Sequence, residues 1–140
     1  TQSRSSAASD VYKRQASDSA TFNQTVSKGL YQICQTGWGA DYNDPMTFMQ
    51  CWMTGDGNNA AFFSNPQYDE LVNECKTLGD ASKRLENFQK AEKILVEDEA
   101  GIAPLSYGFS KNLISKRLKG AVINGAGGPS VEFKYAQIVG

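Results

Sequence analysis

From Asn65 to about Asp98 the chain carries two apolar stripes at helical spacing, each with its own start signal. This run limits the fold more than any other feature. Asn65-Pro66 pairs an N-cap residue with proline at the first helical position. Tyr68, Leu71, Val72 and Cys75 then fall at i, i+3, i+4 and i+7, one face of a helix. Gly79 stops this helix, and Asp80 caps a second one expected from Ala81 to about Asp98, with Leu85, Phe88, Ala91 and Leu95 as its buried row. Glu86 and Lys90 form a surface pair on it, worth a few tenths of a kcal/mol. Gly101 ends the run.

The flanks read differently. Leu30 to Thr36 alternates apolar and polar residues and predicts a strand. Asp44-Pro45 predicts a short helix from Pro45 to about Trp52 with Phe48, Met49 and Trp52 on one face, followed by a turn over Thr54 to Asn59. Ile102 to Tyr107 reads as a buried strand with Pro104 at a kink or edge, and Phe109 to Ile114 as a continuation in extended form. A small basic turn (Lys116 to Lys119) and a glycine-rich loop (Gly120 to Ser130) precede a last alternating strand, Glu132 to Val139. Strand, three helices, then strands is an α/β order that does not make a complete fold. The last strand lacks an obvious partner, so a preceding N-terminal portion is expected.

Residues 1–21 are Ser-rich and nearly free of large apolar side chains, and disorder is expected there. Ser5 to Gln15 resembles a translated sequencing-adapter tail, so Thr1 to about Gln15 reads as non-native; a genuine flexible linker is the rival reading. Order is expected from about Phe22.

Composition excludes several chemistries. There is no His among the 140 residues, which removes Ser-His-Asp and Cys-His catalysis and His-containing metal sites. The net charge of -1 gives no electrostatic case for nucleic acid. Cys34, Cys51 and Cys75 form no C-x-x-C pair and read first as small buried hydrophobes, with a Cys34–Cys51 or Cys51–Cys75 disulfide open if the protein is secreted. No apolar run approaches the length of a membrane span, and no secretion signal opens the chain. Asp56 to Asn59 departs from a calcium loop, with Ala61 at the glycine position and Gln67 at the final glutamate. Glu97, Asp98 and Glu99 read as a solvated face at a helix end. No metal or cofactor is expected.

The densest functional signal is Gly37-Trp38-Gly39-Ala40-Asp41-Tyr42-Asn43-Asp44-Pro45. Two glycines bare the backbone at the end of the expected strand and let another main chain approach closely. An extended peptide can add there through main-chain hydrogen bonds, with Asp41 placed where a cation at the peptide's end would land. The competing reading is a tight strand-to-helix turn in which Asp41 only accepts backbone N–H groups.

GWGADYNDPMTF, SNPQYDEL, KAEKILVEDEAGIAPL and the closing LKG and FKYAQIV, in this order from about Phe22 to Gly140, resemble the C-terminal quarter of the family 5 solute-binding proteins of ABC transporters, the oligopeptide-binding proteins above all. The resemblance implies an α/β, two-lobed (class II) periplasmic-binding-protein-like clamp that closes on its ligand, present here as a C-terminal fragment. Residues 22–119 would belong to the C-terminal lobe, and 120–140 would return to the absent first lobe. It implies that Asp41 pairs with the ligand's α-amino group, that Gly37 and Gly39 lend main-chain groups, and that Trp38 lines a side-chain pocket. Gly108 stands where relatives often carry a bulky aromatic, which implies either a wider pocket or compensation by Tyr107 and Phe109.

The implied partners are an oligopeptide or another amine-bearing ligand and the permease subunits of an ABC importer. Membrane contact would come only through the permease or a lipid anchor on the missing N-terminus. An extracytoplasmic monomer without covalent chemistry is expected. A carboxylate-dependent hydrolase and an interaction module that binds no ligand are the alternatives.

Overall fold

The computed structural model describes residues 16–109, 111–125 and 131–140. The chain divides into two compact units, Thr1–Cys34 and Gln35–Gly140.

The described part of the first unit holds one helix, α1 (Ser19–Ser27), which begins inside the stretch expected to be disordered. Its ends explain it. The Asp18 carboxylate accepts the N–H groups of Ala20 and Thr21 at 3.0 Å each. At the other end Gly29 adopts φ 65°, and Leu30 N–H donates to Thr25 C=O while Gly29 N–H donates to Val26 C=O. That is a Schellman stop. The expectation for residues 1–15 lies outside the described residues.

In the second unit α2 (Met46–Met49) tightens into a 3₁₀ turn (Gln50–Trp52). Two longer helices follow, α3 (Pro66–Cys75) and α4 (Ala81–Lys93), the latter running on into a π-helical turn, Ile94–Asp98. The predicted caps are made. Asn65 Oδ1 accepts Tyr68 N–H at 3.0 Å, and Asp80 Oδ1 accepts the N–H groups of Ser82 and Lys83 at 3.0 and 3.1 Å.

Helices α3 and α4 pack on each other, and α2 packs on both. Met46, Phe63, Tyr68, Val72, Cys75, Phe88, Ala91, Ile94 and Leu95 form the core. Tyr68 is wholly buried; its ring meets Phe63 edge-on at 5.2 Å and its hydroxyl donates to Met49 C=O at 2.6 Å. Leu85, expected in the buried row, is 53% exposed, because Arg84 turns inward instead. Phe48, expected on the buried face of α2, is exposed, whereas Met46, Thr47 and Cys51 are buried.

Asn59 ties the loop between α2 and α3 to the core. Its amide donates to Met53 C=O at 3.1 Å and Phe63 C=O at 2.7 Å, and its Oδ1 accepts Phe63 N–H at 3.1 Å. The next residue but two, Phe62, is held at φ 52° with its ring 60% exposed while Phe63 enters the core. Gly101 closes the far end: a Cβ there would lie 2.8 Å from Phe63 Cδ2 and 3.2 Å from Leu95 Cδ1.

Two strand expectations are corrected. Among the described residues, Leu30 to Thr36 and Ile102 to Tyr107 form no strand. Leu105 is 77% exposed, so the second is not buried either. Alternation supplies a face but no neighbour, and nothing described pairs with these segments. The last strand, in contrast, has a partner within the chain. It is broken into β3 (Val131–Glu132) and β4 (Gln137–Ile138), which pair antiparallel with β2 (Val122–Ile123) and β1 (Leu118–Lys119) respectively. Gly120, at φ 74°, allows the crossing, since a Cβ there would lie 2.3 Å from Tyr135 C=O.

Candidate functional site

Gln35 to Ala40 runs without regular structure, and among the described residues none of its main-chain N–H or C=O groups takes a hydrogen-bond partner within the chain. A Cβ at Gly37 or Gly39 would meet nothing within 4 Å. Trp38 between them is 43% exposed. The bare backbone expected from the two glycines is therefore present, although no strand carries it.

Asp41 and Asp44, three residues apart, have opposite fates. Asp44 is committed to the fold. One of its oxygens accepts Met46 N–H at 2.8 Å and so starts α2. Both oxygens also take the fork of Arg84, 40 residues further along, at 2.7 Å each. Arg84 Nε donates to Cys75 C=O at 2.8 Å, and its guanidinium lies 4.8 Å from the centre of the Phe88 ring. The clamp thus joins the start of α2, the end of α3 and the first turns of α4. The Arg84 hydrogen bonds hold the Asp44 carboxyl below its ordinary range, against the opposing effect of burial.

A carboxyl depressed in the folded state contributes stability that is present above its unfolded pKa, about 3.9, and is lost as pH falls through the lower folded value. Arg84→Lys keeps the charge but loses the fork. It is expected to cost about 1–2 kcal/mol at neutral pH. Thermal unfolding below about pH 4 should then narrow the gap between wild type and variant.

Asp41 is exposed, and among the described residues its carboxylate takes neither a hydrogen bond nor an ion pair. The fold grips only its main chain: Asp41 N–H donates to Thr47 Oγ1 at 3.0 Å. Tyr107 is 92% exposed, and no hydrogen bond or ring contact joins it to residues 37–41. The sequence missed Arg84 and Thr47. Arg84 was detectable only as a charge on a face otherwise apolar, and Thr47 carried no signal at all.

The weaker sites dissolve into structure. The Asp56 carboxylate accepts the N–H of Asn58 at 2.8 Å and so closes its own turn. Lys93 pairs with Glu97 at 3.9 Å and with Asp98, while Glu99 accepts the Asn65 amide. The three cysteines are free, and neither possible disulfide is formed. Burial pushes the Cys51 thiol up to about 11, which makes it unreactive at neutral pH.

No protein-family model matches the chain. Over 98 residues, 69% of this chain and 18% of its relative, it is 36% identical to the oligopeptide-binding protein OppA of Bacillus subtilis (strain 168). The crystal structure of an oligopeptide ABC transporter substrate-binding domain from Bacillus anthracis matches 90% of this chain and 24% of its own, with a TM-score of 0.75 and 27% identity. Haemophilus influenzae OppA in complex with RPPGFSPFR matches 77% of this chain and 21% of its own, with a TM-score of 0.69 and 32% identity. The chain belongs to the family 5 solute-binding proteins of ABC transporters.

As a family 5 chain it has the α/β fold of the periplasmic-binding-protein kind. It spans 17% to 23% of the length of the curated relatives above 30% identity. Those relatives are binding proteins and not enzymes. Among the described residues no helix is long and apolar enough to cross a membrane.

Proposed function

We propose that this chain is part of the ligand-binding subunit of an ABC importer and that it holds extended peptides by their main chain and their α-amino end. The observation that carries the reading is the contrast between the two aspartates. Asp44 is consumed by the fold, whereas Asp41 lies exposed at the end of a bare main chain and its carboxylate has no partner among the described residues. A carboxylate in that position pairs with a ligand ammonium. Such a pair fixes register and rejects ligands lacking the amine. Gly37 and Gly39 offer main-chain groups that ignore side-chain identity, so peptides of varied sequence fit. Trp38 and Tyr107 line side-chain pockets, and bridging waters adapt those pockets to different residues.

In this reading residues 22–119 lie in the C-terminal lobe and 120–140 reach toward the other lobe. The protein acts outside the cytoplasm as a monomer, delivers ligand to permease subunits by closing its lobes, and performs no covalent chemistry. Thermal unfolding of the intact protein, with both lobes, tests this against the alternatives. A mixture of short peptides with free N-termini is expected to raise the melting temperature in a concentration-dependent way, and the peptides are recovered uncut. Cleaved peptide would favour the hydrolase. No shift with any peptide would favour the interaction module.

A further inference from the structure

The main-chain grip on Asp41 has a physical consequence for ligand binding. Thr47 is wholly buried, and its Oγ1 accepts Asp41 N–H at 3.0 Å, six residues back. Thr47 is itself fixed, because its N–H donates to Asp44 C=O at 3.2 Å and its C=O accepts the Cys51 thiol at 3.3 Å. Asp44 in turn is forked to Arg84 on α4. The main chain of Asp41 is thereby tied to the helical core through one hydroxyl, while its carboxylate stays exposed. We propose that Thr47 is the positioning residue of the amine anchor: it sets where the Asp41 carboxylate points without touching ligand. This rests on the reading of Asp41 as that anchor.

A buried acceptor suits the role. Losing it leaves the Asp41 N–H without its bond and frees the preceding backbone, which among the described residues has no main-chain hydrogen bond between Gln35 and Ala40. A salt bridge to a ligand ammonium depends on direction as well as distance, so loosening the anchor should weaken amine recognition selectively.

The test uses the intact protein and calorimetry with one peptide in two forms, N-terminally free and N-acetylated. Thr47→Val keeps the shape and removes the acceptor. It is expected to reduce affinity for the free peptide about fivefold and leave the acetylated peptide unchanged. Thr47→Ser, which retains Oγ, is expected to restore wild-type preference. Equal loss for both peptides would overturn the proposal by making Thr47 a purely structural residue, and so would no loss for either. Should Thr47→Val fail to fold by circular dichroism, Thr47→Cys, with a weak acceptor, carries the same comparison. Asp41→Asn separates the two levels. If it abolishes the preference for the free amine while Thr47→Val does not, only the positioning role fails. If Asp41→Asn leaves the preference intact, the anchor reading itself fails.

Discussion

Replacing Asn59 by alanine is expected to destabilise the protein by about 3 kcal/mol, measured by chemical denaturation. The side chain is buried and uses both its ends. Its oxygen takes Phe63 N–H, and its amide serves Met53 C=O and Phe63 C=O. Alanine would leave Phe63 N–H and Phe63 C=O enclosed without these bonds, each costing about 1–3 kcal/mol where water cannot reach it, while Met53 C=O keeps Asp56 N–H at 3.1 Å. The Phe62–Phe63 pair adds to the effect. Phe62 sits at φ 52°, a conformation a bulky residue adopts only when its surroundings impose it. Without the Asn59 brace that backbone can relax, drawing Phe63 away from Tyr68. Asn59→Asp is expected to be nearly as damaging, since it places a carboxylate against two carbonyls. Asn58→Ala, one residue away and exposed, should stay within about 0.5 kcal/mol of wild type. Similar losses for Asn58→Ala and Asn59→Ala would show that the loop matters only through its turn propensity.

Asn59 also marks the limit of what the sequence conveys. The helices α3 and α4 were legible because cap and stripe are local: Asn65 and Asp80 act on residues two or three further on, and Tyr68, Val72 and Cys75 share a face. The role of Asn59 depends on which carbonyls the folded loop brings around it, and in sequence it is one polar residue in a turn cluster. Helix α1 escaped because it buries nothing; only its caps, Asp18 and Gly29, announced it. Leu85 was misplaced because an arginine can turn inward when a carboxylate, a carbonyl and an aromatic ring all receive it. The strand predictions failed for a more general reason. Alternation in Leu30 to Thr36 describes one edge, and pairing needs a second edge that the segment cannot specify. In the candidate site the motif pointed to Asp41, but not to the division of labour between Asp41 and Asp44, which is decided by Arg84 from 40 residues away.

Asp41→Ala in the intact protein is expected to weaken binding of a free N-terminal peptide by more than tenfold, that is, by more than about 1.4 kcal/mol, in calorimetry. In the proposed reading, lobe closure strips water from the ligand ammonium, and an ammonium without a counter-charge in such a site is costly. Truncating one member of an enclosed charge pair typically costs about 2–5 kcal/mol, much of it the penalty on the partner left behind. The effect should therefore shrink when that partner is absent, and the N-acetylated peptide is expected to bind wild type and Asp41→Ala with similar affinity. Stability separates this residue from its neighbour. Among the described residues Asp41 is bonded only through its N–H, which alanine retains, so the variant should melt close to wild type. Asp44→Ala removes both a helix start and the Arg84 fork, and should lower the melting temperature. Unchanged affinity of Asp41→Ala for the free peptide would remove this carboxylate from the site and leave the bare backbone of Gln35 to Ala40 without its proposed guest.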